Sequence, residues 1–342
     1  MKAIVYTDTG DANVLSLVER DRPEPGPGEV RVRVAVSGVN PTDWKSRAGA
    51  STRRRVSVES VPHQDGSGTV DAVGAGVTSV AVGDRVWIYL AAPDNGLTGT
   101  AQEYTVQPEH RVVKLPEGVS LDVGASLGVP AMTAHRALTV IEGGPTRLSP
   151  GALTGRTVLV AGGAGAVGHA AIQLGVWAGA TVITTVSGPE KAVLARAAGA
   201  GHVINYRTDD VVARVREIAP EGVDVVVEVS PSRNWDIDLA VIRPRGTVAV
   251  YANDGGNDLT LNIGAGMGPN VRLQFMLLYT VGDEVMSAAA QDISAALADG
   301  ALPVGQEHGL PLVRFGLEDM AAAHDAVQGG TVGKVLVDVV TG

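Results

Sequence analysis

Apolar and polar residues alternate in short runs through the first 120 residues: EVRVRVAVSGVN from Glu29, GTVDAVGAGV from Gly68, GDRVWIYLA from Gly83 and EYTVQPEHRVVKLP from Glu103. Alternate positions of such a run share one sheet face. Broken by Gly, Pro and Asp, the runs predict a compact antiparallel β domain. The pattern changes near residues 120–140, where SLDVGASLGVPAMTAHRAL carries apolar residues at helical spacing. From Thr157, strand-like runs alternate with helix-like ones: TVLVAG then GHAAIQLGVWAG, TVITTV then PEKAVLARAAG, HVINY then DDVVARVREIA, VDVVVEV then WDIDLAVIRP, and finally TVAVYA. That alternation predicts a parallel sheet wrapped by helices. The tail is mixed, with a helix over 318–327 and a strand in TVGKVLVDVV, and no fixed-period repeat is found.

Composition narrows the picture. Thirty-three residues between Arg156 and Glu190 contain no Asp, Glu, Lys or Arg, long enough to span a bilayer. Seven glycines, His169, Gln173 and β-branched runs at both ends instead predict a buried strand–loop–helix–strand unit. Asp8 and Asp11 interrupt the N-terminal stretch, so no signal peptide is read, and a soluble cytoplasmic protein is expected. Zero Cys in 342 residues removes disulfides and thiolate metal ligands. A net charge of −10 disfavours nucleic acid as a partner. The one basic run, Arg53-Arg54-Arg55, reads as a solvated loop.

The strongest chemical motif is G-x-G-x-x-G at Gly163, Gly165 and Gly168, with Gly162 just ahead of it. It follows a strand and opens a helix, the setting in which glycines let backbone N–H groups and a helix N-terminus meet a pyrophosphate. A tight turn without a ligand is the plain alternative. An NAD-type site needs a carboxylate at the end of the second strand, but that strand ends Thr184-Thr185-Val186-Ser187-Gly188. Ser187 offers a hydroxyl and Lys191, one of five lysines against 22 arginines, a cation. Together they suit a 2′-phosphate, so NADPH is the expected cofactor.

These residues resemble the zinc-independent quinone oxidoreductases of the medium-chain dehydrogenase/reductase superfamily, the zeta-crystallin-like group. The likeness runs through SGVNPTDWKSRAG at Ser37–Gly49, VGDRVW, HRVVKLPEGVSLDVGASLGVPAMTAHRAL, the glycine loop, PEKAVLARAAGAGHVINYR and GTVGKVLV. It implies an α/β chain: a GroES-like β-rich catalytic domain from residues 1–127 and 280–342, and a Rossmann doubly wound parallel-sheet domain over 128–279. It further implies a homodimer joined near Val271 to Tyr279. By the same resemblance Tyr206, with Ser187 and Lys191, lies at the 2′-phosphate, Ala166 and Val167 give backbone N–H groups to the pyrophosphate, and Asn40 and Thr133 flank the nicotinamide.

Where zinc-dependent relatives place a Cys and a His-Glu pair, this chain has Asn40 and Gln64-Asp65. Neutral amides are poor zinc ligands, so no metal is expected, and His63 reads as a residue behind the ligand place or in the cleft. No tyrosine begins a Y-x-x-x-K. What remains is hydride transfer to an acceptor that disperses its own negative charge, with Asn40, Lys45 and Thr133 as catalytic candidates and Trp44 and His63 nearby. Lys45 stands where many of these reductases carry Tyr, and either donates to a carbonyl oxygen or extends into solvent. The leading expectation is an NADPH-dependent quinone reductase. The alternatives are an NADPH-dependent enone or alkenal double-bond reductase and a non-catalytic NADPH-binding protein.

Overall fold

The computed structural model describes residues 1–50, 59–94 and 96–340; Ser51 and the Arg53-Arg54-Arg55 run lie outside the described residues. The chain divides into two units, Met1–Val129 with Pro311–Gly342, and Pro130–Leu310.

Strand Glu29–Val39 is the hub of the first unit. Val30, Val32 and Val34 are wholly buried while Arg33 between them is exposed, as a half-buried strand requires. The strand pairs antiparallel with Asp65–Val73, Tyr104–Pro108 and Lys334–Asp338. Arg85–Ile88 and Val112–Lys114 extend the sheet on one side, and Leu312–Gly316 ends it on the other. Leu312–Gly316, helix Met320–Gln328 and Lys334–Asp338 form a parallel crossover, so the C-terminal tail completes a sheet begun by the N-terminal third. Val34, Val39, Met320, Ala323, Val335 and Val337 share one core. Each Val or Met side chain among them, fully buried, stabilises by roughly 1.5–3 kcal/mol.

The second unit holds six parallel strands in the order His202–Asn205, Thr181–Val186, Thr157–Ala161, Val223–Glu228, Ile242–Val250, Arg272–Phe275. The order turns back beside Thr157–Ala161, the doubly wound arrangement whose crevice lies outside the carboxyl ends of the strands. Val223–Glu228 is buried along its whole length, which explains the β-branched run Val225-Val226-Val227 within it. Helix Asp283–Ala298 also belongs to this unit and buries Met286, Ala289, Ala290, Ile293, Ala296 and Leu297. The chain therefore rejoins the first unit at Pro311, not at residue 280. The reason is tertiary: Asp292, on the buried face of that helix, accepts from His135 Nε2 at 2.8 Å, Leu148 N–H at 2.7 Å and Arg147, all in the second unit. Among the described residues no helix is long and apolar enough to cross a membrane.

Candidate functional site

The glycine loop joins Thr157–Ala161 to helix Ala166–Trp177. Gly162 turns the chain at φ +73°, a conformation that favours glycine. Its N–H and that of Gly163 donate to Thr185 O at 3.1 and 3.2 Å, locking the loop onto the neighbouring strand. A Cβ on Gly163 would lie 2.1 Å from Thr184 Oγ1, and one on Gly168 would lie 2.4 Å from Gly162 O. The middle glycine differs. A Cβ on Gly165 would meet nothing closer than Gly162 O at 3.5 Å, so it would project into the concavity of the loop. Gly165 caps the helix without a side chain, leaving the first-turn N–H groups of Ala166, Val167 and Gly168 directed out of the positive end of the helix dipole. Small residues, an open cradle and a helix N-terminus together fit a pyrophosphate.

Ser187 follows strand Thr181–Val186, and Lys191 lies in the first turn of helix Pro189–Ala197. Tyr206 N–H donates to Val186 O at 3.1 Å, setting Tyr206 beside Ser187 at the carboxyl ends of adjacent strands. Tyr206 is 51% exposed, so it is a surface group there and not packed in a core. The cofactor candidates of this unit thus gather at one end of one sheet. Thr133, on helix Leu121–Leu138, is 7% exposed.

In the first unit Asn40 precedes helix Pro41–Arg47, and its N–H donates to Asp43 Oδ2 at 2.7 Å. Its side chain is buried and held from both ends. Lys334 Nζ donates to Asn40 Oδ1 at 2.7 Å, Asn40 Nδ2 donates to Asp65 Oδ2 at 2.6 Å, and Lys334 Nζ lies 3.4 Å from the same carboxylate oxygen. Asp65 Oδ1 accepts from Val129 N–H at 2.8 Å. Burial pushes Asp65 above the usual carboxylate range and pulls Lys334 below the usual lysine range, while the two charges oppose these shifts. Lys45 Nζ lies 5.9 Å from the centre of the Trp44 ring.

The donor set does not fit zinc. Asn40 and Asp65 already surround an ammonium, which repels a second cation. Gln64 faces elsewhere, with Nε2 donating to Ala92 O at 2.8 Å and Oε1 accepting from Ala92 N–H at 3.1 Å. Among the described residues no group of three or more His, Asp or Glu side chains is arranged to hold a metal ion. His63 is wholly buried behind these residues. Thr100 Oγ1 donates to Asp65 O at 2.5 Å, so it accepts from the Ser37 hydroxyl at 2.7 Å. Ser37 then accepts from His63 Nδ1 at 2.8 Å, and His63 Nε2 accepts from His324 Nε2 at 3.0 Å. This one-way chain fixes both tautomers. Burial holds both rings neutral, pulling His63 well below its usual range and His324 down to about 3. Lys334 and His324 are the residues that local motif reading misses, since their partners lie hundreds of positions away.

Two family models match the chain: one described as an alcohol dehydrogenase GroES-like domain, over residues 26–117, and one described as a zinc-binding dehydrogenase, over residues 166–295. A quinone oxidoreductase from Lama guanicoe is 30% identical over 98% of this chain and 97% of its own. A 2-haloacrylate reductase from a Burkholderia species is 31% identical over 80% of this chain and 79% of its own. The structure of an Escherichia coli quinone oxidoreductase complexed with NADPH superposes with a TM-score of 0.81, at 26% identity, covering 99% of this chain and 100% of that one. With a GroES-like unit, a doubly wound parallel-sheet unit and a relative of this identity matched nearly end to end, the chain belongs to the quinone oxidoreductase family of the medium-chain dehydrogenase/reductase superfamily.

Proposed function

We propose that this protein is an NADPH-dependent quinone reductase that works without a metal ion. The observation that carries the reading is the open cradle at Gly165 at the head of helix Ala166–Trp177, with Ser187 and Lys191, and no carboxylate, at the end of the next strand. Gly165 and the N–H groups of Ala166, Val167 and Gly168 bind the pyrophosphate. Ser187, Lys191 and Tyr206 bind the 2′-phosphate; Lys191 supplies the charge, and Tyr206 is an exposed residue. Bound NADPH supplies a hydride, and the quinone takes up that hydride and a proton to leave as hydroquinone.

Asn40, Thr133 and Lys45 orient the nicotinamide and the acceptor. Asn40 suits this because Lys334 and Asp65 fix which way its amide points, leaving its second Nδ2 hydrogen as a donor. The Asn40–Asp65–Lys334 cluster supports metal independence. A quinone spreads the incoming negative charge over its own ring, so it needs no metal to hold an alkoxide.

Arg272–Phe275 is the last strand of its sheet, and around it Ile263, Met267 and Phe275 are 75%, 70% and 62% exposed. Such an apolar sheet edge supports pairing with a second copy, making the protein a homodimer. A cysteine-free chain of this charge is compatible with the cytoplasm, the location this reading carries, with no nucleic-acid partner.

A second reading, reduction of an enone or alkenal double bond, is favoured by the similarity to a 2-haloacrylate reductase and by Lys45 as a cationic donor to a carbonyl oxygen. Steady-state NADPH oxidation with a panel of quinones and a panel of α,β-unsaturated carbonyls separates the two. Preferential turnover of quinones is expected. Turnover of the carbonyl panel alone selects the second reading, and tight NADPH binding without turnover of either selects a binding protein.

A further inference from the structure

Strand Val223–Glu228 ends in a wholly buried carboxyl group, and helix Pro231–Val241 carries a second one, Asp238, back against it at 1% exposure. Glu228 Oε1 accepts from Ser230 N–H and from Asn234 Nδ2, the latter at 2.9 Å. Glu228 Oε2 and Asp238 Oδ2 are sealed from solvent and receive no N–H or side-chain hydroxyl donor from another residue. Asn234, which reaches Glu228, and Asp238 stand four residues apart on one face of the helix, so the two buried carboxyl groups face each other with no donor supplied between them. Two carboxylates offer only acceptors, so that contact requires a proton on one of them.

The turn they hold lies beside the glycine loop. Val229 Cγ1 is 3.6 Å from where a Cβ on Gly162 would stand, and Asp254 N–H donates to Val229 O at 3.1 Å while Ser230 Oγ donates to Asp254 O.

We propose that Asp238 is a positioning residue for the dinucleotide crevice: it shares one proton with Glu228, and the pair fixes the Val229–Asn234 turn that backs the glycine loop. The proposal rests on the reading of that crevice as the NADPH site. Burial raises Asp238 well above, and Glu228 above, the ordinary carboxylate range, and each carboxyl group acts on the other. The titratable groups facing them do not favour a second charge. Tyr251 is itself raised by burial and by Glu228 and Asp254, and Arg233, an exposed residue, lies against Gly255. When the shared proton leaves at alkaline pH, two anions are left in buried contact and the turn loses its register.

Asp238→Asn keeps a donor to Glu228 without a titrating proton, and Glu228→Gln does the same from the other side. NADPH dissociation constants measured from neutral to alkaline pH should rise about tenfold in the wild type, about 1.4 kcal/mol, and stay level in Asp238→Asn. In parallel, the Ser230 amide resonance should show an alkaline step in the wild type that is absent from both variants. Identical pH profiles in wild type and Asp238→Asn, or a Ser230 amide that never titrates, overturn the proposal. The Ser230 readout needs no cofactor: a wild type that shows the amide step yet binds no NADPH upholds the shared proton and refutes the cofactor reading instead.

Discussion

Replacing Lys334 with Met removes one charge from a pair in which both side chains are nearly inaccessible, 1% and 0% exposed, while keeping the volume. Asp65 would keep two donors, Asn40 Nδ2 at 2.6 Å and Val129 N–H at 2.8 Å, but would have no cation. Breaking a buried pair from one side costs roughly 3–5 kcal/mol. An upper bound follows from the escape open to Asp65, which is to take up a proton. Doing so at about pH 7 from an ordinary carboxylate pKa costs about 4 kcal/mol. For a unit of this size that is a fall in Tm of about 8–16 °C.

The sign of the pH dependence is equally specific. In Lys334→Met the folded pKa of Asp65 rises further above its unfolded value, so the folded state binds the extra proton and the deficit shrinks as pH falls toward about 4. The double variant Lys334→Met with Asp65→Asn carries no buried charge and should recover most of the loss. Thermal unfolding followed by circular dichroism at about pH 7 and about pH 5 reads all three. A Lys334→Met protein within about 1 kcal/mol of wild type, a deficit that does not change with pH, or a double variant as weak as the sum of its parts would refute the picture of Asn40 held by a buried ion pair.

Lys191→Ala should raise the KM for NADPH by about tenfold or more and leave that for NADH nearly unchanged, because the lost partner is the 2′-phosphate; equal losses would remove Lys191 from the site. His324 sits at about 3 when folded against 6.5 when free, so the unfolded chain binds more protons between those values and stability should fall as pH drops below 6.5. His63 acts in the same direction, and unfolding by urea at about pH 7 and about pH 5 checks it, with equal stability at both contradicting two neutral buried rings. Phe275→Asp, placing a charge on the 62%-exposed edge residue, should turn the proposed homodimer into a monomer by light scattering, whereas a mass equal to that of the wild type would refute this edge as an interface.

Local pattern made most of the second unit legible, because its first five parallel strands carry β-branched residues and alternate with helices, whereas the edge strand Arg272–Phe275, RLQF, has no β-branched residue to announce it. The glycine loop was legible for the same reason, since its three glycines are spaced by backbone needs that the structure makes explicit at Thr184 and Gly162. Helix Asp283–Ala298 was assigned to the other unit because nothing within it announces that Asp292 is tied to His135 and Arg147. Asn40 was readable as a departure from a metal-ligand pattern, but its partner Lys334 is 294 positions away and looks, in sequence, like any lysine at the start of a strand. The contact of His63 with His324, across 261 residues, escapes for the same reason. Buried polar pairs of this kind are decided by tertiary contact, and nothing in the sequence around Lys334 marks it as one of them.

The central claim is hydride transfer from NADPH to a quinone by a protein whose metal positions are filled by Asn40, Gln64 and Asp65. Its most direct test is a single-turnover experiment with chelator-treated protein of verified zinc content, mixing stoichiometric NADPH with a quinone and following loss of the reduced cofactor. Full conversion to hydroquinone with no zinc bound, slowed when the transferred hydrogen is deuterium, is the result expected. No conversion until zinc is restored would contradict it.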